Sequence, residues 1–124
     1  MPDNSLSIDR FLTIADSIDI LLLRTKHLNS AEEFKINPDG LTLLDSVSMR
    51  LQFIGETLKK IDKDHPALLI KYDSVEWYKI INLRDFISHH YDLLNYQIIF
   101  TICKENLPEF KEVVEKIISD LRKS

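Results

Sequence analysis

At 124 residues with a formal net charge of −4, the chain has the size of one domain, residues 1–124, and too little positive charge to coat nucleic acid through a broad basic surface. Charged residues at 29% beside 44% hydrophobic ones argue against disorder, and two glycines with four prolines argue against a many-stranded, turn-rich fold. No apolar run approaches bilayer length, and Met1-Pro2-Asp3-Asn4 carries no basic and apolar leader, so no membrane association and a cytoplasmic location are expected.

Residues 5–29 bring Ile8, Phe11, Leu12, Ala15, Ile18 and Leu22 to helical spacing, with Asn4 or Ser5 as cap. Ser30-Ala31-Glu32-Glu33 reads as a capping box opening one short turn that carries Phe34, and Asn37-Pro38-Asp39-Gly40 reads as a loop. A second long helix is predicted over 41–64, where Leu44, Val47, Leu51, Ile54, Leu58 and Ile61 need a partner helix along their whole length. Gly55 inside it costs about 1 kcal/mol against alanine, which points to a close helix approach. His65-Pro66 ends that helix. Asp73 or Ser74 is expected to cap a third, on which Trp77, Ile80, Arg84 and Ile87 share a face. Arg84 thus stands on a stripe otherwise made for burial, and a charge there needs an explanation.

The fourth segment, 95–106, is apolar almost all round and should be the most buried. Pro108 opens a last one with Phe110, Val113, Val114, Ile117, Ile118 and Leu121 on one face, and the two may be one bent helix. Cys103, the single cysteine, is expected to fill core. The fold class expected is an all-α antiparallel bundle of four main helices, the last bent or split in two.

The densest chemistry lies in Arg84-Asp85-Phe86-Ile87-Ser88-His89-His90-Tyr91. A guanidinium holds phosphate oxygens through a planar fork of donors, and an imidazole moves a proton near neutral pH. If the helix runs through His89, Asp85 and His89 share one side, while Arg84, Ser88 and Tyr91 share an adjoining one. Asp85 is then placed to orient the His89 ring. His90 points about 100° away from His89 around the axis. No Cys/His spacing suggests a metal, and no cofactor motif is present. Taken alone, an arginine and a histidine five apart more often form a surface pair or a helix-end interaction than a nuclease site.

The pattern Arg84-x4-His89-x-Tyr91 resembles the motif of the HEPN superfamily, in particular its HepT-like toxins. Ile54-Gly55-Glu56, Trp77 ahead of Leu83-Arg84, and Leu107-Pro108 fall in the order of that family, over residues 11–121. The short motif is weakly specific; the ordered set is much stronger. The resemblance implies a HEPN-type bundle and a metal-independent ribonuclease toxin of a prokaryotic toxin–antitoxin pair. It implies a homodimer that faces two Arg84 and His89 sets across one cleft, since one imidazole cannot easily serve as base and acid on opposite sides of one phosphate. It further implies a nucleotidyltransferase antitoxin that transfers AMP to Tyr91. Ser88, Asn95 and Glu56 are accessory candidates, with a structural role ranked higher for Glu56. Two departures stand out: Asp85 where many members carry asparagine, and Asn95 where aspartate is usual. Two other readings stay open, a non-catalytic HEPN subunit that presents RNA or substrate to a nucleotidyltransferase, and a purely structural antitoxin-binding protein with a decayed site.

Overall fold

The computed structural model describes residues 4–89 and 96–124, with the side chains of Arg84, Phe86, Ser88 and His89 outside the description. The described residues form helix and turn: α1 is Ser5–Thr25, α2 Pro38–Asp64, α3 Trp77–His89, α4 Tyr96–Thr101 and α5 Leu107–Lys123. Short 3-10 turns at Ala31–Phe34 and Leu69–Tyr72 link the long helices, and a π-helical turn, Ile102–Asn106, joins α4 to α5 as one bent rod.

Pairs across the helix seams give the directions. Arg10 meets Asp64 at 2.7 Å, Arg50 donates to Ser17 and Arg24 to Ser46, so α1 and α2 run antiparallel. Asn4 donates to the Leu121 carbonyl, Lys111 lies 2.5 Å from Asp19, and Lys104 reaches the Lys26 carbonyl, so α5 also runs against α1. The predicted α2 stripe, Leu44 through Ile61, is buried against Phe11, Ile14, Ile18 and Leu21 of α1 and Val114 and Ile117 of α5 in one cluster. Burial of each such side chain contributes about 1.5–3 kcal/mol.

The bend has a chemical cause. Pro108 has no N–H to give the Lys104 carbonyl, and its ring would clash there in a regular helix. The preceding turn widens, and Leu107 N–H bonds to Ile102 O five residues back.

Several expectations change. Asn37-Pro38-Asp39-Gly40 is the start of α2 rather than a loop: the Asn37 side chain accepts from Gly40 N at 2.8 Å, and Pro38 takes a first-turn position where no N–H is needed. Helix α1 stops at Thr25, and Asn4 heads it without a side-chain cap because its amide is drawn to Leu121 and Ser124. Neither Asp73 nor Ser74 caps α3, which begins later at Trp77; the Tyr72 carbonyl holds the incoming chain by accepting from Val75 N and Trp77 Nε1. The α4 stretch is not the most buried segment. Ile99 and Cys103 are buried, yet Ile98 is 45% exposed and Tyr96, Phe100 and Ile102 are half-buried, because α4 packs through one face at the rim of the bundle. The Ser30 and Glu33 capping box forms as predicted, and the backbone N–H groups of Ser30 and Asn29 hold the Glu33 carboxyl below the usual range.

Candidate active site

Helix α3 carries the arginine–histidine motif on its last two turns, and its other end is firmly anchored. Trp77 is 5% exposed, donates from its indole to the Tyr72 carbonyl at 2.9 Å, and meets Phe110 of α5 edge to face with centroids 5.6 Å apart. Such an aromatic pair contributes about 0.5–1.5 kcal/mol beyond its buried area. Further along, Ile81 and Ile87 are buried against α2. Ile81 and Ile87, three residues before and after Arg84, are buried, and the Arg84 side chain itself lies outside the described residues.

The described backbone puts Arg84, Asp85, Ser88 and His89 within two turns of one helix. Asp85 is exposed and four residues before His89, the spacing at which one side chain can orient the next. Glu56 is exposed on α2, the helix that packs along α3. Gly55 beside it is buried. Tyr91, Asn95 and His90 lie outside the described residues. Of the other histidines, His65 terminates α2 as expected, and His27 is exposed just past α1.

On the α4 side of the bundle two ammonium groups sit on aromatic faces. Lys35 lies 4.6 Å from the ring centre of Tyr96, and Lys104 lies 5.9 Å from that of Phe100. Cation–π contacts of this kind hold a charge in place with about 0.5–1 kcal/mol at exposed sites. Sequence inspection missed both. Lys35, just past the first 3-10 turn, reaches Tyr96 because that turn packs on α4, whereas Lys104 stands four residues after Phe100 on the same rod. Cys103, next to Lys104 in the chain, is buried, and burial pushes its thiol up to about 11, so it is core and not a nucleophile.

A helical bundle of this kind serves many functions, and the motif decides between them only with relatives in hand. The family model described as ribonuclease HepT-like matches residues 14–117. This chain belongs to that family. Among its HepT-like relatives, "Putative RNase MJ1216" of Methanocaldococcus jannaschii is 32% identical over 108 residues, covering 87% of this chain and 84% of the relative. "Putative RNase TTE0752" of Caldanaerobacter subterraneus subsp. tengcongensis is 30% identical over 105 residues, covering 85% and 88%. "Putative RNase MJ0127", also of Methanocaldococcus jannaschii, is 36% identical over 76 residues, covering 61% and 60%, so that match spans only about three fifths of either chain. No solved structure matches the chain. Among the described residues, no helix is long and apolar enough to cross a membrane.

Proposed function

We propose that the chain is a single-domain, metal-independent endoribonuclease of the HepT-like type, the toxin of a toxin–antitoxin pair, acting in the cytoplasm as a homodimer. The observation that carries this reading is the HepT-like family match across residues 14–117, a span that contains the whole Arg84 to Tyr91 motif. Cleavage of RNA without a metal needs a base for the 2′-hydroxyl, a stabiliser for charge gathering on the phosphorus centre, and an acid for the leaving 5′-oxygen. His89 takes the proton roles, with an unperturbed pKa of about 6.5 that leaves both forms available. Arg84 keeps its charge at any working pH and binds the non-bridging oxygens as they become more negative. The attacking 2′-oxygen forms a bond to phosphorus, the bond to the 5′-oxygen breaks, and the leaving alkoxide takes a proton. Two protomers around one cleft supply a histidine for each side of that displacement.

Asp85 orients His89 in this scheme, and Lys35 at the start of α4 and Lys104 beyond its end provide cationic support. Tyr91, seven residues after Arg84, is the target of a nucleotidyltransferase antitoxin. An added AMP brings an anionic phosphodiester that competes with the RNA phosphate for the arginine.

The deciding experiment incubates purified protein with RNA in excess chelator. Cleavage that disappears in both His89→Ala and Arg84→Ala supports the proposal. RNA binding without cleavage points instead to a non-catalytic HEPN subunit, and loss of both binding and cleavage to a decayed site.

A further inference from the structure

One face of the bundle combines open apolar walls with an excess of carboxylates. A groove of about 620 Å³ opens between α3 and the α4–α5 rod, bounded by Leu51 and Ile54 of α2 together with Ile80, Leu83, Ile98 and Val113. A second hollow, of about 430 Å³, shares Val75, Glu76 and Lys79 with it and adds Ile70, 73% exposed, and Tyr78, 65% exposed. Phe110 lines the groove and Trp77 the hollow, and those two rings touch. Among the described residues, five carboxylates, Asp62, Asp73, Glu76, Glu109 and Glu112, line the two depressions against one ammonium, Lys79. That ammonium lies 2.7 Å from the Glu76 carboxylate. Among these described residues that is an excess of four negative charges, in a chain whose formal net charge is −4.

We infer that this face docks an amphipathic α-helix of a different protein, its apolar side in the groove and lysines or arginines along its flanks. Two helices with aliphatic walls leave between them the shape that a third helix fills, with anchors at i, i+3 or i+4, and i+7. The carboxylates along the walls set the sign of the partner's charge. They repel an RNA backbone. A second copy of this chain in a two-fold contact would set the same carboxylates against one another, at a cost in free energy. None of residues 84–91 enters the argument, so it stands or falls apart from the ribonuclease reading.

The test measures fluorescence anisotropy of the full chain with three short labelled peptides: a leucine-striped helix with lysines elsewhere, the same stripe with glutamates, and a scramble of the lysine peptide. The lysine helix should bind, and the other two at least about tenfold more weakly. Its affinity should fall at least about tenfold in Ile98→Asp and in the double variant Glu109→Lys, Glu112→Lys, steps of about 1.4 kcal/mol or more. These positions are solvent-facing, and circular dichroism checks that the variants remain helical. The proposal is overturned if the lysine helix does not bind, if the scramble or the glutamate helix binds as well, or if both variants leave the affinity unchanged. It is equally overturned if sedimentation finds a dimer that Ile98→Asp disperses, since a second copy would then fill the groove.

Discussion

Gly40 and Asp85 show how differently single positions constrain this chain. A Cβ on Gly40 would lie 2.2 Å from the Glu33 carbonyl oxygen and 3.0 Å from the Phe34 carbonyl carbon, both backbone atoms that cannot swing aside. Alanine is the better helix former by about 1 kcal/mol. The clash should outweigh that gain, so Gly40→Ala is expected to destabilise by about 1–3 kcal/mol, read as a lower denaturant midpoint with an unchanged slope. Asp85 is an exposed carboxylate whose expected effect is on chemistry rather than on stability. An anion four residues before His89 favours the imidazolium, and an amide does not. Asp85→Asn should therefore move the acidic limb of the cleavage pH profile to lower pH; an unmoved limb removes the orienting role. The sequence suggested Asp85 because spacing within a helix is local information, but it missed the reason for Gly40, whose neighbours Glu33 and Phe34 press on it only once the chain has turned at residues 35–37.

At the scale of elements, the long helices could be read from apolar periodicity, and the errors gather where a terminus is settled by a distant partner. Asn4 failed as a side-chain cap because α5 competes for its amide. The delayed start of α3 follows from Tyr72, which turns its carbonyl to Trp77 and its hydroxyl to Asp120 of α5 at 2.7 Å. Burial first, and the Asp120 carboxylate second, push this phenol from 10.0 up to about 12. The folded chain thus keeps a proton that the unfolded chain releases. Its contribution is complete below pH 10 and fades as pH rises towards 12. Cys103, raised from 9.0 to about 11, acts in the same sense over a lower window. Tyr72→Phe should lower Tm at neutral pH by the loss of about one hydrogen bond, roughly 1 kcal/mol, yet flatten the decline above pH 10. Melting curves of equal alkaline steepness in both proteins would contradict this.

At the scale of the whole molecule, charge and apolar exposure are arranged unevenly: carboxylates gather around the start of α3, while Lys35 and Lys104 lie over the aromatic faces of α4. If the proposed paired cleft is right, cleavage per chain should fall on dilution in step with the dimer dissociation measured by sedimentation. A rate per chain that stays constant into the monomer range would sink the paired site. The amino-acid order by itself determined the helical class, the α2 stripe, the Ser30 and Glu33 capping box and the position of the arginine–histidine motif, because each depends on spacing within a few turns of one helix. Only the tertiary structure decided that Gly40 must be glycine, that one side of α4 stays open, that Lys35 meets Tyr96, and that five carboxylates share one face. Those properties depend on which surfaces the packing of the helices covers and which it leaves facing water, and no local pattern contains that information.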